Sequence, residues 1–228
     1  MDIAIIGGTG DEGFGLTLRL ATAGHHVTIG SRIAEKGSAV ADTAREMLRG
    51  GANVDGAANQ EAATADVVVV TVPFAGQAEI DRSIKDHVRA GAIVVDCTSP
   101  LATAVGGKAW HVVRPWHGSA VELAKAILPA EVRMVAAFHT IPGEALQDLE
   151  HDMDSDVLVC GSDPEAKAIV GDLIDQIPNL RWVDAGELSQ ARIVEPLTAL
   201  LISINRQYKT RGSGFRITGR ESWGRPGS

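Results

Sequence analysis

Residues 7–15 read Gly-Gly-Thr-Gly-Asp-Glu-Gly-Phe-Gly, directly after the apolar run Ile3 to Ile6. Gly8, Gly10 and Gly13 fit the spacing G-x-G-x-x-G, with a strand pattern before them and a helical pattern after. Each glycine has its own task. Gly8 permits a tight turn, Gly10 lets backbone approach a pyrophosphate, and Gly13 lets the helix sit close on the strand. The N-terminus of that helix offers unpaired N–H groups and a positive dipole end to phosphate oxygens. In this context the spacing predicts a dinucleotide site. The competing reading is a glycine turn that serves packing only.

The next strand pattern, His26 to Gly30, ends in Ser31-Arg32, with Lys36 a little further on. An NAD enzyme usually places Asp or Glu here, against the ribose 2′-hydroxyl. A hydroxyl, a guanidinium fork and an ammonium suit a phosphate dianion instead. Thr9 adds a further hydroxyl in the glycine turn. The residues therefore predict NADP(H) rather than NAD(H), unless Arg32 and Lys36 are merely solvated.

Other chemistries lack their residues. A short-chain dehydrogenase needs Tyr and Lys four apart, and the one tyrosine, Tyr208, is adjacent to Lys209. No Cys and His cluster has zinc-ligand spacing, so no metal is expected. No G-x-S-x-G or Cys–His arrangement marks a hydrolase. His139, Cys97 and Glu12 are the remaining acid–base candidates, and none has a partner at a telling spacing. A nicotinamide site without an evident catalytic acid implies direct hydride transfer to an acceptor that is itself a redox cofactor.

Elements that could position these groups follow in alternation. Strand patterns cover Ile3–Ile6, His26–Gly30, a short stretch near Asn53–Gly56, Asp66–Pro73, Ala92–Cys97, Met134–His139, Val157–Gly161 and Arg181–Asp184. Helical patterns cover Glu12–Ala23, Ala34–Leu48, Glu61–Ala65, Ala75–Val88, a helix opened by Ser119 and Glu122 and reaching Leu128, Pro164–Ile177, and Leu188–Tyr208 interrupted at Pro196. The alternation predicts an α/β Rossmann-type, doubly wound, mostly parallel sheet with a small C-terminal helical part. Residues 1–185 are expected to form the NADP-binding domain, and residues 186–228 a helical segment and a loose basic tail. Ligands of such sheets bind beyond the carboxyl ends of the strands. That rule selects Pro73-Phe74, Thr98-Ser99-Pro100 and His139 to Gly143 as loops facing the glycine turn.

Composition bounds the rest. A chain of 228 residues, 45% hydrophobic and 22% charged, suits one sizeable soluble α/β domain. No apolar run is long enough to span a membrane, and no export signal is evident. Two widely separated cysteines, Cys97 and Cys160, fit a reducing cytoplasm. Net charge is −8, yet residues 206–228 carry six basic side chains and one acid. The acidic bulk argues against nucleic acid as a partner. Ile193, Leu197, Leu200, Leu201 and Ile204 need cover, which suggests a homodimer.

Taken in order, several motifs resemble the NADP-dependent reductases of the deazaflavin coenzyme F420. They are Gly-Gly-Thr-Gly-Asp-x-Gly-x-Gly (7–15), Leu-Arg-Leu-Ala (18–21), Gly-His (24–25), Gly-Ser-Arg (30–32) with Lys36, Thr-Val-Pro-Phe (71–74), His-Thr-Ile-Pro (139–142), Val-Cys-Gly (159–161), Asp-Ala-Gly (184–186) and Leu-Thr-x-Leu (197–200). The resemblance spans about residues 1–208. It implies that Thr9, Gly10, Asp11 and Glu12 hold the pyrophosphate and that Ser31, Arg32 and Lys36 hold the 2′-phosphate. Pro73 and Phe74 would flank the nicotinamide. Ser99 and Gly143 would contact NADP, although Ser99 replaces an apolar residue expected there. His139, Ile141 and Pro142 would border the place where the deazaflavin stacks. Hydride would pass between NADP(H) and F420, with no catalytic side chain beyond a contribution from His139. F420 carries a phosphate and an oligoglutamate chain, which would give the basic tail a purpose in steering. Reduction of a flavin, an imine or a ferric chelate, or a non-catalytic NADPH sensor, remain the alternatives.

Overall fold

A computed structural model defines the structure, which describes residues 1–220 and residue 223. Eight strands form one sheet: β1 (Asp2–Ile6), β2 (His26–Ser31), β3 (Val54–Ala58), β4 (Val67–Val70), β5 (Ile93–Asp96), β6 (Arg133–Ala136), β7 (Ser155–Gly161) and β8 (Leu180–Gly186). Their order across the sheet is β3-β2-β1-β4-β5-β6-β7-β8. β1 is flanked by β2 and β4, and connections leave it in opposite directions, which makes its carboxyl end the switch point where such sheets bind ligands. The four valines of β4 are all buried, as a strand covered on both faces requires.

Helices α1 (Asp11–Thr22), α2 (Ala34–Met47), α3 (Asn59–Ala62), α4 (Phe74–Ile84), α5 (Ala120–Ile127), α6 (Gly143–Gln147), α7 (Pro164–Asp175), α8 (Ala191–Val194) and α9 (Leu197–Tyr208) cover the sheet. One apolar layer packs Ile3, Ile5, Leu16, Leu20 and Ile29 with Val157 and Ile174. The other packs Ile6, Val68, Val70, Ile84 and Val94 with Val121 and Leu188. Gly24, with φ of +92°, ends α1 as a left-handed residue that glycine adopts at low cost. Ser119 Oγ accepts from Glu122 N to open α5, and Asp163 accepts from Glu165 N and Ala166 N ahead of Pro164. The pattern over 188–208 is interrupted at Pro196, as expected.

The sheet is mostly parallel, as expected: β7 runs antiparallel to β6 and β8 follows it, so the last two strands oppose the first six. Three features depart from the sequence expectations. The sixth strand stops at Ala136 rather than His139, because Phe138 turns into the left-handed region at φ +69°. Gly143–Gln147 is a short helix that five residues of weak periodicity did not signal. The tail after Thr210 was expected to be loose, but its described part is pinned. Arg216 binds Asp154, Asp156, Ser155 O and Asn179 O, while Ile217 N donates to the buried Asp156. The basic tail's Arg225 and the acid Glu221 lie outside the described residues.

Arg19, on the buried face of α1, fixes α6. Its guanidinium donates to the carbonyls of Leu146, Ala145, Asp148 and His151. A buried cation satisfies carbonyls that α6 and the following turn leave open. The loop His139 to Gly143, which leads into α6, is held against the start of α1 by this contact.

Candidate functional site

A cleft of about 1000 Å³ opens over the carboxyl ends of β1, β2, β4 and β5. Its floor is the glycine turn. Gly7 takes φ of +77°, and a Cβ there would lie 2.6 Å from Val72 Cγ1. A Cβ on Gly13 would lie 2.5 Å from Thr71 Oγ1 and 2.7 Å from Gly8 Cα, so glycine lets α1 approach the strand. Gly10 differs: its added Cβ meets nothing nearer than Gly7 O at 3.7 Å. It is open on the ligand side. Gly10 is also the N-cap of α1, and no side chain caps the helix, so its first N–H groups are available to an anion.

Ser31, Arg32 and Lys36 line one end of this cleft with Ile33 and Asn59. Ser31 Oγ accepts from Ile33 N at 3.3 Å, which sets the turn out of β2. Neither Arg32 nor Lys36 joins any described ion pair. Two uncompensated cations beside a serine hydroxyl fit a phosphate. Together with the open Gly10 cradle, they fit a dinucleotide that carries an extra phosphoryl group.

The other end is walled by Thr71, Val72, Pro73, Cys97, Thr98, Ser99, Leu101, His139, Ile141, Pro142, Gly143, Thr198 and Ile202. Thr198 Oγ1 donates to His139 O at 2.7 Å and lies 2.6 Å from Ser99 Oγ. α9 thereby joins two strand-end loops. A Cβ on Gly143 would lie 2.8 Å from Glu12 N, so that loop touches the start of α1.

The titratable groups here are mostly held neutral. His139 is buried with no partner on either ring nitrogen, and burial pushes it down to about 3. Burial raises the Cys97 thiol well above its ordinary range, with Glu12 and Asp96 adding to the shift. It is no thiolate at neutral pH. Burial, and secondarily Asp96, pushes Glu12 up to about 8. Asp96 is wholly buried and raised to about 6, the rise limited by hydrogen bonds from Thr98 N at 2.8 Å and Gln77 Nε2 at 2.6 Å. His139 and Cys97, which line the apolar end, are both neutral at pH 7, and Asp96 is buried behind them. Among the described residues no His, Cys, Asp and Glu group could hold a metal.

Thr9, Gly10, Asp11, Glu12, Ser31, Arg32, Lys36, Pro73, Ser99, His139, Ile141, Pro142 and Gly143 therefore share one cleft. Gly8 and Gly13 lie behind its floor. Phe74 does not line it; as the first residue of α4 it is half-buried to one side, and Ala75 and Gly76 line the cleft instead. Sequence reasoning missed Asn59, Glu79, Glu144, Thr198, Ile202, Asn205 and Arg211. Leu197-Thr198 is a motif to which the sequence gives no role, Arg211 belongs to the basic tail expected to steer F420, and the others carry no local signal.

A family model described as "NADP oxidoreductase coenzyme F420-dependent" matches residues 2–100. The F420-dependent NADP reductase of Methanocaldococcus jannaschii is 42% identical over 225 residues, 97% of this chain and 100% of that protein. The chain belongs to the F420-dependent NADP reductase family. A second member, from Methanothermobacter thermautotrophicus, is 42% identical over 96% of this chain and 95% of its own length. A crystal structure from Arthrobacter sp. FB24, provisionally described as an F420-dependent NADP reductase, superposes with a TM-score of 0.81. It is 27% identical and covers 96% of this chain and 99% of that one. The cleft is thus the candidate active site of a reductase of this family.

Proposed function

We propose that the chain transfers hydride reversibly between NADP(H) and coenzyme F420. The observation that carries the reading is the cleft's two-ended build. A glycine cradle and the unpaired Arg32 and Lys36 form one end, and a largely apolar space bounded by His139 to Pro142 and Ile202 forms the other. When bound, the two cofactors supply the redox chemistry, exchange of a hydride between nicotinamide C4 and deazaflavin C5.

The protein's part is to hold and orient. The N–H groups from Thr9 to Glu12 take the pyrophosphate, and Ser31, Arg32 and Lys36 take the 2′-phosphate. Pro73, Ser99 and Gly143 bound the nicotinamide. His139, Ile141 and Pro142 wall the acceptor's place. Proximity of the two rings does the rest. Neutral His139 can donate one hydrogen bond without introducing charge. The ring-nitrogen proton is exchanged with solvent, so no buried acid is required. Residues 1–185 hold the nucleotide, and residues from 186 onward close the acceptor side through Thr198.

Exposed Ile193, Leu200 and Trp116 support a homodimer, to be measured by sedimentation. No helix among the described residues is long and apolar enough to cross a membrane, and both cysteines are free and buried. These features support a cytoplasmic enzyme. The deciding experiment follows NADPH absorbance with oxidised F420, beside a flavin control. Rapid oxidation with F420 alone is expected. Equal rates with the flavin, or no oxidation with either, would overturn the proposal.

A further inference from the structure

Glu12 is the second residue of α1, set in the cleft floor where the pyrophosphate is proposed to lie. Its Oε1 is shut off from water and meets no hydrogen-bond partner. Behind it stand Asp96, already engaged by Gln77 and Thr98, and the buried Cys97 thiol. The remaining titratable and charged groups of the cleft give Glu12 no counter-charge. Asp11, Glu79 and Glu144 are acids, Arg211 pairs with Glu144, and His139 is neutral. Arg32 and Lys36 lie past the end of β2, and no described ion pair includes Glu12.

An ionised carboxylate here would face a dinucleotide that brings its own negative charge, in a place where water screens poorly. We infer that Glu12 is a nucleotide-contacting side chain that works protonated, its carboxyl O–H donated to the bound dinucleotide. Ionisation both removes that donor and adds a repelling charge. Oε2, the carboxyl oxygen that is not shut off from water, is the one placed to carry the donated O–H, while Oε1 stays enclosed behind it. The raised titration of Glu12, near 8, puts the neutral form in the majority at pH 7. Because the acid is raised, the favourable form is fully present at low pH and disappears as pH climbs through that value.

This inference rests on the nucleotide reading above, and its test separates the two. NADPH affinity is measured by fluorescence titration from pH 7 to 9.5. The nucleotide's own 2′-phosphate, with a second pKa of about 6, is already a dianion throughout this range. Wild type is expected to bind with a constant Kd near pH 7 that weakens about tenfold by pH 9. Glu12→Gln, which keeps a donor but cannot ionise, is expected to bind with a Kd that does not move with pH. Asp81→Asn, which alters a second raised carboxyl outside the cleft lining, is expected to keep the wild-type slope. A wild-type slope in Glu12→Gln overturns the inference. Should that variant fail to fold, proton uptake decides. NADPH binding at pH 8.5 in weak buffer should draw in more than about half a proton per nucleotide, in wild type and in Asp81→Asn alike. No uptake overturns the inference. Absence of NADPH binding at pH 7 would instead defeat the nucleotide reading itself.

Discussion

Ser99 Oγ lies 2.6 Å from Thr198 Oγ1, across 99 residues of sequence. Thr198's own proton goes to His139 O at 2.7 Å, so Ser99 is the donor in this pair. One hydroxyl therefore ties α9 to the loops after β5 and β6. Thr198→Val keeps the shape and removes both bonds. It leaves a buried carbonyl unpaired, which costs about 1–3 kcal/mol. A lower Tm is expected, along with a larger loss in kcat than in NADPH affinity, since the loop it releases is proposed to border the acceptor. A Tm equal to wild type would show that the link does not hold the fold together.

Two glycines of the same turn should fail in different ways. An Ala at Gly13 would press on Gly8 Cα at 2.7 Å and on Thr71 Oγ1 at 2.5 Å. Backbone cannot yield cheaply, so Gly13→Ala should cost about 1–3 kcal/mol of stability. An Ala at Gly10 meets ordinary space in the free protein, 3.7 Å from its nearest neighbour. Its methyl points where the pyrophosphate is proposed. Gly10→Ala should melt within about 0.5 kcal/mol of wild type. It should bind NADPH about tenfold more weakly, roughly 1.4 kcal/mol. Melting curves and titrations of the pair check this, and a destabilised Gly10→Ala would contradict it.

The part of the site legible in the sequence is the part built by consecutive residues. The glycine turn, the Ser31-Arg32 strand end and the loops at Pro73, Ser99 and His139 each follow a periodic apolar run. Period and punctuation are local properties, so eight strands and the interruption at Pro196 could be read from them. The direction of β7 could not. It depends on which edge the chain returns to, and a buried run reads the same both ways. Thr198, Asn205 and Arg211 reach the cleft only because α9 docks against it. Asn59 lines the cleft with its Oδ1 buried and without a partner, yet in sequence it is one polar residue in a loop. The resemblance sets Phe74 beside the nicotinamide, whereas the cleft lining in this stretch is Pro73, Ala75 and Gly76.

On the proposed reading, Arg32 and Lys36 carry the choice of nucleotide. Neither is engaged by an acid among the described ion pairs, so removing them leaves no protein charge unpaired. Charge-assisted hydrogen bonds of this kind contribute about 1.5–3 kcal/mol each. The double variant Arg32→Ala with Lys36→Ala should lose at least about a hundredfold in NADPH affinity and little in NADH affinity. Equal losses for both nucleotides would place the 2′-phosphate elsewhere.

Arg211 offers a test of where the acceptor is proposed to bind. It lines the cleft and meets Glu144 at 3.0 Å, both side chains being exposed. Such a pair contributes at most about 1 kcal/mol, so Arg211 is easily released to a more highly charged anion. Truncation after Lys209 would also remove Arg216 from Asp156, which confuses binding with stability. Arg211→Glu is the cleaner change. It should raise the KM for F420, flatten the dependence of that KM on salt, and leave the KM for NADPH alone. An unaltered KM for F420 would remove Arg211 from the acceptor site.

Asp81 gives the fold its clearest pH dependence. It is wholly buried on α4, neither carboxyl oxygen has a partner, and burial with the nearby Asp96 pushes it up to about 8. One turn earlier, Gln77 donates to Asp96 and to Ala120 O but leaves its own Oε1 unpaired. A proton on Asp81 turns one of these facing acceptors into a donor. For an acid raised in the folded state, the stabilising proton is fully present below the unfolded value near 3.8 and is lost as pH rises through 8. Wild-type stability should thus fall between about pH 4 and 8, with Glu12 and Glu195, both raised to about 8, sloping the same way. Asp81→Asn keeps a donor at every pH. It should gain on the order of 4 kcal/mol on wild type between pH 5 and pH 8.5. Thermal melts at the two pH values measure the difference. A variant displaced from wild type by the same amount at both would mean that Asp81 enters the folded state already ionised.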